Sequence, residues 1–236
     1  AFMLLKYGIS IGKNDAIRET YDRNNLSNYS ANAGLVDSLS NHFVFNNQSH
    51  TGSLNFRYVE KKYNFVIGSG FGTAQYQLDN IENNTKRNIQ FNNFIPAFSI
   101  SFNPKQQRRL KIDYSGKTIN PTLQQIQPII DNTDPLNVNI GNANLKQGFT
   151  NRINLSANDF KVLKNKYLGI NASFSNTDNA ISSSSVIDRF GKTTNLAVNV
   201  QGNYNMNANL WYGIDIYKGL NLGINLGPNM SRYVNF

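Results

Sequence analysis

His42 and His50 are the only histidines of the chain, and it has no cysteine. A zinc site needs three or four ligands, and no Cys, His or carboxylate stands at ligand spacing from either imidazole. No metal site is therefore expected, and without thiols neither disulfides nor thiolate chemistry is available. Ser182-Ser183-Ser184-Ser185 offers hydroxyls, but a serine nucleophile needs a histidine base beside it, and neither histidine is placed to serve. The run reads as a flexible loop. No paired carboxylates present themselves for acid–base work. Gly68-Ser69-Gly70-Phe71-Gly72 has the composition of a phosphate loop, which must open a helix. Thr73-Ala74-Gln75-Tyr76-Gln77 continues instead as strand, so these glycines read as small interior residues beside outward aromatics. The expected catalytic set is empty, no cofactor is implied, and the chain does not read as an enzyme.

Binding chemistry is better represented. Lys111, Asp113 and Lys117 share the polar parity of one predicted strand, and Arg152 that of the next. Such a patch suits an anionic substrate or a domain held inside the fold; it equally suits a solvated, salt-bridged wall. Trp211, the sole tryptophan, lies near Tyr212 and Tyr217 at a strand end. Aromatics there suit an interfacial girdle, with stacking on a ligand as the other reading.

The elements that must position these residues have a period of two. From Leu196 to Tyr217 one parity reads Leu196, Val198, Val200, Tyr204, Met206, Leu210, Tyr212, Ile214 and Ile216. The other reads Asn199, Gln201, Asn203, Asn205, Asn207, Asn209 and Asp215. Successive strand side chains face opposite ways, so this stretch has one apolar and one polar face. The pattern recurs at Met3–Gly12, Phe98–Phe102, Leu110–Ser115, Phe149–Ser156, Leu168–Ser175 and Leu220–Gly227. About nine strands are expected, several long enough to cross a bilayer, which takes about 9–11 residues.

Composition fits a sheet wet on one side. Mean hydropathy is -0.45 and charged residues are 16%, yet there are 15 Phe and 12 Tyr, which disordered chains avoid. The net charge of +9 is not gathered into one long run, so nucleic acid is not an expected partner. No apolar run of 18 residues exists for a transmembrane helix, which leaves a closed barrel as the way to span a membrane.

Connections alternate in length. Short turns are expected at Glu60-Lys61-Lys62, Asn103–Gln107, Lys161–Lys166 and Tyr217-Lys218-Gly219. Long segments are expected at Lys13–Gln48, Asp79–Gln90, Thr118–Gln147 and Asp178–Thr193. Outer-membrane barrels pair short periplasmic turns with long external loops. The expected fold is thus an all-β, antiparallel transmembrane β-barrel in the bacterial outer membrane, with lipid as a partner. The start, Ala1–Lys6, lacks a basic leader, so either a signal was removed or the chain is internal. The last short turn is expected to send the final strand outward, and on that reading Phe236 is expected to be a truncation point.

One segment carries a family resemblance. Tyr114-Ser115-Gly116 leads to Asn120-Pro121-Thr122-Leu123-Gln124-Gln125-Ile126-Gln127-Pro128. Then come Asp131-Asn132-Thr133-Asp134-Pro135 and Gly141-Asn142-Ala143-Asn144-Leu145-Lys146-Gln147 before a strand at Phe149. This resembles the barrels of TonB-dependent receptor-like outer-membrane proteins common in Bacteroidetes. Ala143, Gln147 and Ile126 depart from that family's usual Pro, Pro and Leu. The resemblance implies a barrel of about 22 strands around a plug, an energy-coupling TonB-type partner, and a surface lipoprotein as a further partner. No segment resembles the plug, so residues 1–236 read as a single barrel portion. Its two open edges predict aggregation outside a membrane.

The expected function is nutrient uptake across the outer membrane. A non-transporting scaffold of a surface complex, a small barrel enzyme and a soluble β-rich binding module are the alternatives. In the loop Thr118–Gln147, Pro121, Gln125, Pro128, Asn142 and Leu145 either recognise something outside the cell or form a lid over the rim.

Overall fold

Strands account for nearly the whole chain. The computed structural model describes residues 1–21, 34–35, 40–81, 84–126, 130–134, 136–161 and 165–235. The elements are β1 (Phe2–Arg18), β2 (Asn41–Val59), β3 (Tyr63–Asn80), β4 (Thr85–Lys105), β5 (Arg108–Ile119), α1 (Leu123–Ile126), β6 (Ile130–Asp134) and β7 (Asn137–Ile140). They continue with β8 (Gly148–Lys161), β9 (Lys166–Asp178), β10 (Ala180–Ile187), β11 (Thr193–Val200), β12 (Asn203–Tyr217), β13 (Leu220–Leu226) and β14 (Asn229–Arg232).

Two sheets result. The larger has the order β1-β2-β3-β4-β5-β8-β9-β12-β13, with β14 also paired to β12. All its pairings are antiparallel. β13 and β14 are two halves of one path along β12, interrupted at Gly227-Pro228. The ladder is bridged there by the Ala208 N–H, which donates to the Pro228 carbonyl at 3.0 Å. The described wall therefore has nine places, the number of strands expected for the whole chain, and the four strands of the second sheet come in addition. The smaller sheet, β10-β11-β7-β6, is built from the two long connections.

Register turns the sequence alternation into continuous surfaces. Cross-strand partners share a face. One row runs Met3, Phe56, Ile67, Phe98, Tyr114, Ile153, Phe174, Met206, Met230, crossing all nine places. The adjacent row on the other face runs Leu4, Asn55, Gly68, Ala97, Ser115, Arg152, Ser175, Asn205, Ser231. The first face is apolar and left exposed; the second is mostly small and polar.

Several expected boundaries shift. The run Leu196–Tyr217 is not one strand. It breaks at Gln201-Gly202, where Gly202 takes a φ of +89°, a left-handed value that glycine adopts without cost. On the partner strand Asn179 has a φ of +49°. The hairpin therefore bends on both arms, and its outer half, β10–β11, leaves the wall for the second sheet. The segment expected as a connection at Asp79–Gln90 is largely strand, because β3 and β4 stay paired as far as Asn80 and Thr85. β1 and β2 likewise extend to Arg18 and from Asn41, into the segment expected to be loop. Alternation weakens in these stretches because the two faces exchange polarity. Above Phe71 and Phe94, the formerly polar parity carries Tyr76, Leu78, Phe91, Ile89, Phe45 and Phe43. The formerly apolar parity carries Thr73, Gln75, Gln77, Asn92 and Gln90.

Two of the wall's glycines give way to aromatic rings of the neighbouring strand. A Cβ at Gly169 would fall on the Trp211 indole, and one at Gly213 on the Tyr167 ring. Both rings lie across the polar face. Gly169→Ala is expected to destabilise the wall by roughly 1–3 kcal/mol through overpacking. Adding Trp211→Ala is expected to recover most of that loss. Urea midpoints read by far-UV circular dichroism check both, and a Gly169→Ala variant as stable as the parent refutes the packing.

Candidate lumen site

The four expected contact residues fall together on the polar face. Lys111, Asp113 and Lys117 share one side of β5, and Arg152 of β8 lies opposite Ser115, between Asp113 and Lys117 in sequence. Lys111 Nζ and Asp113 Oδ2 are 2.7 Å apart, each part-exposed. Arg109 Nε donates to the buried Ser101 hydroxyl at 3.3 Å. The Lys111–Asp113 pair largely cancels itself, so Arg109, Lys117 and Arg152 carry the net charge of this face.

Lys117 borders a cavity of about 200 Å³ with Ser49, Thr51, Asn93, Ile95, Thr118 and Asn120. It arises from a split in the wall. The β4–β5 ladder stops at Ala97–Ser115, where Pro96 has no N–H to offer a neighbour. Above that point β4 pairs with β3 and β5 with β8. The Phe149 ring lies against Gly116 and Pro96, and Gln147 Nε2 donates to the Asn92 carbonyl at 3.1 Å. The side-chain oxygens of Asn93, Thr118 and Asn120 are buried without a hydrogen-bond partner. These oxygens offer acceptors to donors that enter the cavity, water included. Sequence reasoning missed it. The available signal was a lone Pro96 inside a strand, which marks an interrupted ladder.

The loop from Asn120 to Gln147 roofs this space. Pro121, Ile126 and Leu145 are buried, with Ile126 at 1% exposure. Ile126 and Leu145 join Phe43, Phe45 and Leu78 in one cluster, against which Tyr76, Ile89, Ile181 and Ala197 pack. Gln125 closes a capping box: its Oε1 accepts from Thr122 N at 2.9 Å, and its N–H reaches Thr122 Oγ1 at 3.4 Å. Asn142 is half-buried. Its N–H donates to the Gln125 carbonyl at 2.6 Å and its Nδ2 to the Ala197 carbonyl at 3.0 Å. Arg87 Nη2 donates to the Ala143 carbonyl at 2.7 Å. Asn199 holds both ends of Lys146, accepting from its N–H at 2.7 Å and donating to its carbonyl at 2.8 Å. The loop is thus fastened from three sides: by β2–β4, by β11 and by itself. Pro128 lies outside the described residues.

Beyond this roof, the β6–β7 turn is tied by Asp134. The Asn137 side chain and the Leu136 N–H hold its carboxyl below the usual carboxylate range. A depressed acid stabilises above its unfolded pKa, so this tie persists at neutral pH and is lost only as pH falls through the lowered value.

The expected girdle residues divide. Trp211 sits on the polar face over Gly169, because its odd position matches Asn209 and Gly213 rather than Leu210. Tyr212 shares the apolar face with Leu168 and Ile224. An irregularity between Asp215 and Tyr217 pairs Tyr217 with Leu220 and turns it to that same face. A larger aromatic set lies beside the first short turn. Tyr63 stacks on Phe102 at 4.9 Å between centroids and on Phe65 at 6.0 Å, with Tyr58 at 6.2 Å from Phe65.

An apolar face of this height, banded by aromatics and backed by a polar face, defines the wall of a transmembrane β-barrel. The chain belongs to the outer membrane protein beta-barrel family, whose model matches residues 4–235. It resides in the bacterial outer membrane. Among solved structures it is similar to the copper transporter OprC, at 11% identity over 91% of this chain and 33% of that one, with a TM-score of 0.55. It is also similar to the FrpB iron transporter from Neisseria meningitidis (F3-3 variant), at 12% identity over 97% and 33%, with a TM-score of 0.50. The chain spans about a third of the length of each, and the likeness is one of fold. No curated protein matches the chain in sequence.

Truncating Ile126 or Leu145 to Ala is expected to cost about 2–5 kcal/mol locally and to release the roof without dissolving the wall. Limited proteolysis should then cut between residues 120 and 147 several-fold faster while the strand signal by circular dichroism persists. Cleavage at the parent rate would show that the cluster does not hold the loop.

Proposed function

We propose that the protein forms part of an outer-membrane uptake receptor, with the polar face as the passage wall and the Asn120–Gln147 roof over its mouth. The observation that carries this reading is that the described residues of the roof are fastened above a polar, cationic interior. A passive scaffold has no need to fasten a loop over its own lumen. Lys117 and Arg152 favour an anionic substrate or an internal domain of matching charge, and Lys111 with Asp113 sets the local hydrogen bonding. The family resemblance of residues 114–149 supports a receptor of the TonB-dependent kind. In such a receptor a plug fills the barrel and an inner-membrane partner supplies the energy. The similarity in fold to a copper and an iron transporter agrees with metal-chelate uptake, among other nutrients.

The second sheet supports one further reading. Its outer strands, β6 and β10, are edges, and edges accept an added strand. A surface lipoprotein docking there would make the protein a component of a surface complex.

Two experiments test these proposals. Cells lacking the protein, complemented with the parent or with Lys117→Gln/Arg152→Gln, are offered labelled metal chelates, oligosaccharides and peptides at limiting concentration. One class is expected to enter only complemented cells and to stop entering when an uncoupler is added. The double variant should weaken its apparent affinity about fivefold, on the scale of ~1 kcal/mol for solvated charges. Equal uptake of every probe with and without the protein refutes transport. For orientation, a single Cys at Lys192 should react with an impermeant maleimide in intact cells, and one at Lys105 only after lysis. The reverse pattern would invert the proposed sidedness.

A further inference from the structure

The short-turn end of the apolar face holds a second feature. Lys105 pairs with Arg108, Arg108 with Asp159, and Lys161 with Lys166, so these side chains leave the wall on the lipid side. Four cations meet one carboxylate. Arg108 Nη2 lies 2.6 Å from Asp159 Oδ2, and both side chains are part-exposed. That bond uses one guanidinium nitrogen and aims the planar group, leaving Nη1 and Nε for another acceptor. Lys166 Nζ stands 5.3 Å from the ring centre of Tyr212 on the same face.

Directly above the cations the wall is grooved. A register shift between Phe102 and Lys105 parts β4 from β5, with Pro104 inside it. The open groove, about 510 Å³, is lined by Phe102, Pro104, Leu110, Ala157 and Leu168 together with Arg108, Arg109, Asn158 and Asp159. A groove with apolar side chains on one part of its lining and arginines on another, beside further lysines, matches a molecule with a hydrocarbon chain and an anionic head. A phosphodiester is such a head, and Arg is the side chain best shaped to hold it.

We propose that this groove is a binding site for one anionic glycerophospholipid, of the phosphatidylglycerol type. An acyl chain lies against Phe102, Leu110 and Leu168, and the phosphate rests between Arg108, Lys105 and Lys166. The choice of a phospholipid over lipid A rests on the short turns facing the periplasm, where the leaflet is built of glycerophospholipids. Uptake activity plays no part in it. The site adds a specific lipid contact to the general solvation of the wall, and it anchors the turns β4–β5 and β8–β9 at the membrane surface.

The test is lipid retention by the detergent-purified protein in native mass spectrometry, with phosphatidylglycerol, phosphatidylcholine and lipid A as probes. The parent is expected to retain phosphatidylglycerol roughly tenfold better than phosphatidylcholine, as two or more surface cations imply. Arg108→Gln/Lys166→Gln should abolish that preference. Lys86→Gln, a cation of the outward parity at the opposite, water-facing end of β4, should leave it intact. Asp159→Asn removes the competing carboxylate and should raise phosphatidylglycerol retention, so the proposal stays testable if the double variant fails to fold. Equal retention of the two phospholipids overturns the site, as does an Asp159→Asn variant with unchanged or lower retention. A Lys86→Gln variant that loses the preference equally overturns its location. Lipid A retained as well as phosphatidylglycerol overturns the choice of lipid.

Discussion

The medium against each face of the sheet governs the rest of the structure. A strand offers its side chains alternately to two sides, and hydrocarbon tolerates neither polar side chains nor unpaired backbone groups. Over the stretch Tyr63–Phe71 of β3, one side must be greasy and the other can be wet. That stretch has the length of a bilayer crossing. Beyond it the requirement reverses. β1 to β4 run on past the membrane, where the outer side meets water and the inner side meets the roof. Thr73, Gln75 and Gln77 take over the outside, while Tyr76 and Leu78 turn to the inside. The level at which the pattern inverts is the level at which the lipid ends.

That inversion explains why the roof exists as an ordered body. Isolated from the wall, residues 120–147 contribute a four-residue helix and two short strands, too little to bury a core of their own. Phe43, Phe45, Leu78 and Ile89 supply the missing surface, and Ile126 and Leu145 settle on it. The inner wall is therefore two materials end to end: an apolar seat beneath the roof and a polar channel below, with the orphaned oxygens of Asn93 and Asn120 at the junction. The side-chain hydrogen bonds of Gln125, Asn142 and Asn199 fix the loop's orientation over that junction rather than add to its bulk.

Much of this is legible in the residues alone, and the remainder is hidden for physical reasons. Alternation between Leu110 and Ser115, or between Leu168 and Ser175, assigns strand, face and neighbours at once, because lipid enforces a strict period. The lumen positions of Lys111, Asp113, Lys117 and Arg152 follow from the same parity. Beyond the lipid that enforcement lapses. The far ends of β3 and β4, within Asp79–Gln90, read as loop, since the apolar residues there had moved to the other parity. The break at Gly202 was masked because β11 and β12 keep a common alternation through a bend that changes their sheet and not their phase. Trp211 was legible by parity and misread by chemistry. Its odd position placed it inside, whereas its residue type suggested the interface. The cavity depends on where the β4–β5 ladder stops, a three-dimensional fact announced in the sequence by Pro96 alone.

The order of the wall has a consequence for how it is made. Every neighbour in β1-β2-β3-β4-β5 is the next strand in the chain. β8 follows β5, and β12 follows β9, after excursions that form their own sheet. Each new strand thus finds its template already at the growing edge, and no strand has to thread between two that are paired. Closure entropy is met in small increments. Only the roof needs partners from distant parts of the chain: β2, β3 and β4 on one side, β11 on the other. The wall can zip from either margin, and the roof is the step that waits for the whole.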